Sequence, residues 1–305
     1  MASERKNMND TFVRKIVAGI NQNVVIRRLK NERNRALDNY FRSRKKSEGK
    51  RFAEAIVASG DENLCFVVSY NTPWVIDAMT KAWITYSQGM RLIVVDNSSD
   101  TAARREIERI CQARGVAYFG LPRNPEWSPN RSHGISLNWI FHNIVVHARP
   151  KLFGFLDHDC FPVGPVNIPE RAANKAVYGL KLQTDREDRA WYLWAGFCFY
   201  RFSAVEHVDL DFKHQIEFLM DTGGTNWTRL YQGMANDEVG AARSITDDAL
   251  MGDGKLTRQI IDHDFLHVGG ASYRSDVTVA DRKELLATYI WDSYLGGSAG
   301  RMSSL

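Results

Sequence analysis

The sequence predicts an α/β fold with a mainly parallel central sheet, and three observations carry that prediction. Short apolar runs recur and end in polar loops; segments with helical spacing of apolar residues follow those loops; and one run closes on two aspartates a single residue apart. Sheets of this class bind ligands at the carboxyl ends of their strands, where such loops gather.

The first run, Leu64 to Val68, leads into Ser69-Tyr70-Asn71-Thr72-Pro73. Thr72 suits a helix N-cap and Pro73 the first helical position, where a missing N–H costs nothing. Trp74, Ile76, Ala78, Met79, Ala82, Trp83 and Tyr86 then recur at spacings that bury one helical face. The second run, Leu92 to Val95, enters Asp96-Asn97-Ser98-Ser99-Asp100 and a helix that ends near Gly115, with Ile107, Ile110 and Cys111 turned inward. Ala117 to Phe119 is a short third strand. A proline-rich loop from Pro122 to Gly134 precedes a helical segment from about Ile135 to His147, for which Ser132 is the expected N-cap. Leu152 to Leu156 makes the fourth strand, Ala176 to Leu182 the fifth and Trp191 to Tyr200 the sixth.

The fourth strand ends in Asp157-His158-Asp159. In an extended chain side chains i and i+2 share a side, so Asp157 and Asp159 converge while His158 faces away. Two carboxylates at the end of a buried strand are expensive to desolvate, and a hard divalent ion offsets that cost while holding the phosphates of a ligand. The bland alternative has one Asp capping a turn and the other solvated.

Phe66-Val67-Val68-Ser69-Tyr70-Asn71, Val94-Val95-Asp96-Asn97-Ser98-Ser99-Asp100 and Phe155-Leu156-Asp157-His158-Asp159 together resemble the first three signatures of the GT-A glycosyltransferases, family two, over roughly residues 62 to 165. The resemblance implies a GT-A, Rossmann-like fold, a nucleotide-diphospho-sugar donor and a divalent cation, Mn²⁺ or Mg²⁺. It implies that Ser69, Tyr70 and Asn71 line the nucleobase side, that Asp96, with Asn97 and Ser98 beside it, reaches the base or ribose, that Asp157 faces the ribose or sugar, and that Asp159 is the direct metal ligand. Where the family commonly reads Asn-x-Gly before a helix under the donor, this chain carries the longer loop with Arg131 and His133, which can add donors at a helix start. Their alternatives are a solvated charge and a turn residue.

Trp191 to Tyr200 is unusually aromatic. Most of these rings are expected in the core, with Trp194 and Gly196 assigned to the acceptor side, since an aromatic face stacks on a sugar ring and family members often carry a Gly-containing acceptor loop there. Inverting members place a carboxylate base after this strand, often in a Glu-Asp pair that is missing here. Asp221, beside Gly223 and Gly224, is the best positional substitute; its alternative is a helix N-cap, and Asp237 and Glu238 are second choices. Late in the chain Asp262-His263-Asp264 repeats the earlier triplet and His267-Val268-Gly269-Gly270 follows. His267 resembles the late histidine that completes the metal shell in GT-A enzymes, and an imidazole ligand tilts the choice toward manganese. A zinc site of His263, Asp264 and His267 is the weaker alternative, with no Cys pair or His-Glu-x-x-His to support it.

Composition agrees with an enzyme: 305 residues, 44% of them hydrophobic and 25% charged, suffice for a full core. Cys65, Cys111, Cys160 and Cys198 are widely spaced and read as reduced thiols. No stretch approaches the ~18 apolar residues of a spanning helix, and Met-Ala-Ser-Glu-Arg-Lys lacks a signal-like core. The expectation is a cytoplasmic protein, with peripheral contact at the inner face of a membrane as the second placement. Residues 1 to 60 hold fifteen Lys and Arg against six Asp and Glu, a balance of +9 that leaves −5 to the rest of a chain whose net charge is +4. Val13, Ile16, Val17, Ile20 and Val24 share a helical face ahead of the basic run. That face suits an anionic membrane, or packing on the catalytic domain or a second subunit. Packing is favoured because Asn21, Gln22 and Asn23 interrupt the face, and no nucleic-acid motif accompanies the charge. The expected organisation is a basic helical arm over 1–60, a catalytic domain over 61–275, and a C-terminal helix with a flexible tail over 276–305.

The expected reaction is inverting transfer of a sugar from the nucleotide diphosphate to a hydroxyl acceptor (glycan, lipid-linked or small molecule), with Asp221 as base. The alternatives are a metal-dependent hydrolase or phosphoesterase using Asp157, Asp159, His263 and His267, and a non-catalytic GT-A-like protein that only binds the nucleotide sugar. A nucleotidyltransferase would need a Gly-rich basic loop where Ser69 to Pro73 stand.

Overall fold

The computed structural model describes residues 24–185, 189–215, 220–251, 254–271 and 279–297; the expected apolar face at Val13, Ile16, Val17 and Ile20, and the tail beyond 297, lie outside them. Helix α1 (Val24–Ser43) turns through Lys45, at φ 51°, into α2 (Lys46–Ala58). Phe41, Ala53 and Ile56 are buried. Gly49 explains how close α2 comes to the body: a Cβ there would sit 2.8 Å from the Trp139 ring and 3.0 Å from Asn143. Trp139 Nε1 donates to the carbonyl of Arg44 (2.8 Å), and Asn143 Nδ2 to that of Arg42 (3.1 Å).

Strand β1 (Asn63–Ser69) is followed by α3 (Pro73–Tyr86), the two-residue β2 (Ser87–Gln88), β3 (Arg91–Asp96), α4 (Thr101–Ala113) and β4 (Ala117–Gly120). Thr72 holds the N-cap position of α3 but its hydroxyl makes no cap bond, whereas Asp100 caps α4 by accepting from the amides of Ala102 and Ala103. Helix α5 (Pro129–Ile140) continues through a π-helical turn (Phe141–Val145) and a last α turn to Ala148. It starts six residues before the expected position, because Pro129 takes the first helical site behind Ser128. Ser132 therefore lies inside the first turn and caps nothing.

Strands β5 (Leu152–Asp157), β6 (Cys160–Pro162), β7 (Val166–Asn167), β8 (Val177–Gln183) and β9 (Trp191–Arg201) come next, then β10 (Val239–Ala242), β11 (Ser244–Met251), β12 (Gly254–Ile261), β13 (Phe265–His267) and α6 (Val279–Tyr294). The central sheet has seven strands in the order β10-β8-β9-β5-β1-β3-β4. Every neighbour in it is parallel except around β9, which runs antiparallel between β8 and β5, so this is the mainly parallel α/β sheet expected. Both faces are covered. Cys65, Val67, Leu92 and Val94 enter one core beneath α3, α4 and α6, while Leu64, Phe66, Val68, Ile93 and Val95 enter the other beneath α5 and α2. That two-sided burial is why the strands read as unbroken apolar runs. Register brings Val68 opposite Asp157 and Ser69 opposite Asp96, so the loops after β1, β3 and β5 leave the sheet at one edge.

A second sheet, β11-β12-β13-β6, was not expected from the sequence. Its β6–β13 ladder pairs His267 with Cys160. No helix among the described residues is long and apolar enough to cross a membrane.

Gly154 in β5 lies under the Phe199 ring of β9; an added Cβ would overlap that ring and approach the carbonyl of Cys198 to 2.7 Å. Gly154→Ala is expected to destabilise the fold by about 1–3 kcal/mol, the usual cost of overpacking, measured as a lower denaturant midpoint at unchanged slope.

Candidate functional site

A cavity of about 440 Å³ opens at the carboxyl edge of the sheet. Of the expected site residues, Tyr70, Asn97, His133, Asp157, Asp159, Trp194, Gly196, Asp221 and His267 line it; Ser69, Asn71, Asp96, Ser98 and Arg131 do not.

Asp157, Asp159 and His267 each point one ligand atom into a group within 4.8 Å of one another. The chain delivers them by two routes. Strand β5 ends at Asp157 and turns through 158 and 159 into β6, and the β6–β13 ladder then carries His267 alongside, with the Val268 amide donating to the carbonyl of Asp159 (3.2 Å). Because 157–159 is a turn and not an extended tripeptide, His158 does not face away: it lines the cavity too. Asp159 is 3% exposed. Burial works to raise its pKa, but the charges of His158 and His267 and the Ala271 amide, which donates to Oδ2 (3.1 Å), hold it below the ordinary carboxylate value. His267 Nε2 stands 3.6 Å from Asp159 Oδ1, and Nδ1 is 3.0 Å from Gln259 Oε1. As Gln259 Oε1 only accepts, Nδ1 donates to it, which fixes the ring with Nε2 as the nitrogen that faces Asp159. A buried anionic oxygen, a second carboxylate and an oriented imidazole form a donor set that fits Mn²⁺ or another divalent ion. His263 and Asp264 do not join it. Asp264 pairs with Arg171, and among the described residues only the Asp157, Asp159, His267 group meets the geometry for a metal, so the zinc alternative lacks its ligands.

Ser69, Asn71, Asp96 and Ser98 hold the loops. Asp96 is fully buried and accepts from Ser69 Oγ (3.0 Å), the Ser98 amide (2.9 Å) and Tyr118 OH (3.0 Å), with Arg104 Nε at 3.6 Å. Its carboxylate is thus spent inside the protein, away from the cavity. Asn71, at φ 54°, donates its amide to Ser98 Oγ (2.8 Å) and accepts at Oδ1 from the amides of Ser99 and Asp100. An asparagine tolerates that left-handed backbone, and here it ties the β1 loop to the β3 loop. The wall that remains for a ligand is Tyr70, which is 40% exposed, and Asn97, whose side-chain amide donates to Ser132 Oγ (3.0 Å).

On the opposite side His133 Nε2 lies 3.7 Å from Asp157 Oδ1. Arg131 turns elsewhere: Nη2 donates to Glu126 (3.0 Å) and its guanidinium stacks over the Trp127 ring at 5.1 Å. Glu126, missed in the sequence, is 8% exposed and also accepts from Arg33 (3.0 Å) and the Ser128 amide (3.1 Å). Burial works to raise its pKa, yet the hydrogen bonds from Arg131, Ser128 and Arg33 keep it below the usual glutamate range. A glutamate five residues before Arg131 in a proline-rich loop was the signal that could have found this pair.

Trp194 packs on His267, ring centroids 4.7 Å apart, and still borders the cavity. Gly196 has a different reason from the one expected. A Cβ there would overlap the Trp194 indole, so the glycine lets Trp194 lie against its own strand. Asp221 is exposed at the cavity. Asn130 Nδ2 (3.2 Å) and Thr222 Oγ1 (3.3 Å) both donate to Oδ1. It is not a helix cap, since the next helical turn begins at Asn226 behind Thr225. Asp237 and Glu238 sit in a 3₁₀ turn outside the cavity, where Glu238 accepts from the Ala235 amide (2.8 Å).

No family model matches this sequence, and no curated protein matches it. Solved structures similar to parts of the chain include a mannosyltransferase from Pyrobaculum calidifontis in complex with GDP-Man and Mn²⁺ (11% identity, 48% of this chain and 46% of that one, TM-score 0.35). The galactosyltransferase LgtC with donor and acceptor sugar analogues overlaps 59% of this chain and 73% of its own at 14% identity (TM-score 0.42). TarS of S. aureus overlaps 76% of this chain and 43% of its own at 12% identity (TM-score 0.41). The similar regions thus span less than half of the mannosyltransferase and TarS chains.

Proposed function

We propose that this protein is a GT-A-type glycosyltransferase that moves a sugar from a nucleotide-diphosphate donor to a hydroxyl acceptor with inversion. One observation carries the reading: Asp157, Asp159 and His267 converge within 4.8 Å in a cavity that Asp221 also lines. A divalent cation held by that triad supplies Lewis-acid neutralisation of the diphosphate leaving group.

The chain's own residues account for the rest. Tyr70 and Asn97 offer a ring face and an amide to the nucleoside, and His133 offers an N–H beside Asp157. Both hydrogen bonds to Asp221 fall on Oδ1, which leaves Oδ2 without a protein donor among the described residues. That oxygen takes the proton from the acceptor hydroxyl as its oxygen attacks the anomeric carbon. A single displacement of this kind inverts the centre. Trp194 gives the sugar an indole edge. The arm from residue 24 onward serves as packing for the same chain, since Phe41 is fully buried and Asp38 bonds Asn138 (3.1 Å) and Lys213 (3.0 Å).

A thermal-shift series with UDP, GDP, CDP and ADP, each with and without Mn²⁺, tests the reading. One diphosphate should raise the midpoint only when the metal is present, with about 2.7 kcal/mol of stabilisation at a hundred times its Kd. If no diphosphate stabilises the protein in Mn²⁺ or Mg²⁺, the donor site does not exist. Product analysis with the matching sugar nucleotide then separates transfer to a hydroxyl from release of free sugar, the hydrolase outcome.

A further inference from the structure

Among the described residues seven of the eight tryptophans are buried or half-buried, whereas Trp127 is 78% exposed. It borders the same cavity as Asp157, Asp159 and Asp221. The backbone that carries it is pinned on both sides. The Glu126 amide donates to Asn124 Oδ1 (3.0 Å), and the Ser128 amide donates to Glu126 Oε1 (3.1 Å). Glu126 is itself buried and held by Arg33 and Arg131 (3.0 Å each). Pro125 and Pro129 restrict φ two residues away in either direction. The indole is backed as well, with the Arg131 guanidinium over its ring at 5.1 Å from the centroid. The exposed surface of Trp127 is therefore an aromatic ring held ready at the cavity, and a ligand that stacks on it pays little for ordering it.

A protein or membrane partner needs a broad apolar patch. None is present in this loop: apart from Tyr70 in the same cavity, the other exposed large apolar side chains of the described residues stand on other elements. A single ring beside a concave site suits a small flat ligand. The cation behind the indole already takes one face, so the ligand meets the other face or the edges. A pyranose offers such a surface, with C–H groups on one side of the ring and hydroxyls around its rim. A nucleobase is flat too, but Tyr70 already provides an aromatic face for it. The Trp127 segment leads instead to Asn130, whose Nδ2 bonds Asp221 Oδ1 (3.2 Å). The two indoles of the cavity thus differ in place: Trp194 packs on His267 at the metal end, and Trp127 stands in solvent on the loop that reaches Asp221.

We propose that Trp127 is the platform for a pyranose of the acceptor, so that the acceptor is a glycan and not a small non-sugar alcohol; this rests on the transferase reading with Asp221 as base.

The test uses the full chain labelled with 5-fluorotryptophan, the Trp127 fluorine signal being assigned by its loss in Trp127→Phe. Lactose, maltose, chitobiose and mannobiose are titrated to about 100 mM, a range that detects millimolar Kd values, with sorbitol as an open-chain control. One series has neither nucleotide nor metal, and a second has Mn²⁺ and UDP. At least one disaccharide should shift the Trp127 signal saturably, and sorbitol should not. Saturation-transfer NMR on that disaccharide should give a Kd about tenfold weaker or more in Trp127→Ala, and within about threefold of the parent in Trp127→Phe, which keeps a ring. Melting points of both variants should match the parent, since the side chain is exposed. The proposal is overturned if no disaccharide shifts Trp127 in either series, or if Trp127→Ala binds the sugar as the parent does. It is equally overturned if UDP shifts Trp127 and loses affinity in Trp127→Ala while the sugar does not, which would make the indole a nucleobase platform. The thermal-shift series with diphosphates judges the donor site separately, so loss of the one reading is distinguishable from loss of the other.

Discussion

Asp159→Ala is expected to abolish metal-dependent binding of the nucleoside diphosphate. Asp159 is the buried member of the triad, its Oδ1 faces His267 Nε2 at 3.6 Å, and its partner Asp157 is the more exposed carboxylate. Without it, one carboxylate and one imidazole remain, too few to compete with water for a hard divalent ion. Gln259→Ala provides the internal scale. Loss of the group that orients a liganding imidazole ordinarily costs about 10–100-fold in metal affinity, so the direct ligand should cost more than its orienter. Calorimetry with Mn²⁺ present and absent reads both. The Ala271 amide loses its acceptor in Asp159→Ala, so the melting point is measured alongside to separate a fallen fold from a lost ligand. Unchanged diphosphate affinity in Mn²⁺ for a folded Asp159→Ala protein would remove the triad from donor binding.

Six of the seven strands of the central sheet were legible because each carries its own signal, whereas β10, the short Val239–Ala242, was not expected. Leu64 to Val68, Leu92 to Val95 and Leu152 to Leu156 are apolar throughout since both faces are buried, and each meets polar residues at the edge where it leaves the sheet. The helix after the proline-rich loop was placed late because a proline reads equally as loop or as first helical residue, and only tertiary contact decides. The β11–β12 hairpin escaped because Ser244 to Ile261 mixes charged and apolar residues, a pattern whose meaning depends on the pairing of β12 with β13.

Within the site, local chemistry was legible and long-range capture was not. Asp157 and Asp159 are two residues apart, so their convergence is a short-range property. His267 reaches them only through the β6–β13 ladder, and the resemblance, not the spacing, singled it out. Asp96 looked available because it ends a strand, yet Ser69, Ser98, Tyr118 and Arg104 consume it. Arg131 looked available for a phosphate or sugar oxygen because it stands at the expected helix start, yet it pairs with Glu126, which Arg33 engages from the basic arm. The arm's positive balance is thus partly a structural matter: some of its cations answer acids far along the sequence.

Asp221→Asn is expected to lower turnover by about two to four orders of magnitude, the range that general-base catalysis contributes. The amide is isosteric, and its carbonyl oxygen can still accept from Asn130 and Thr222, so the loop geometry should persist. What disappears is the capacity to hold the acceptor proton. Asp221 stands apart from the Asp157, Asp159, His267 group, so donor affinity should change by less than about twofold. The loss should therefore fall on kcat and on kcat/KM together, with no matching rise in the donor KM. Turnover close to that of the unaltered protein would sink the assignment. The base would then have to be sought among the other carboxylates of the cavity, and Asp237 and Glu238 would not be candidates because neither lines it. Of those that do, Glu126 is already bound by two arginines and an amide, and Asp157 belongs to the triad. Asp221 is the cavity carboxylate that no cation holds and no metal geometry claims among the described residues, which is why its loss should stop the reaction without emptying the donor site.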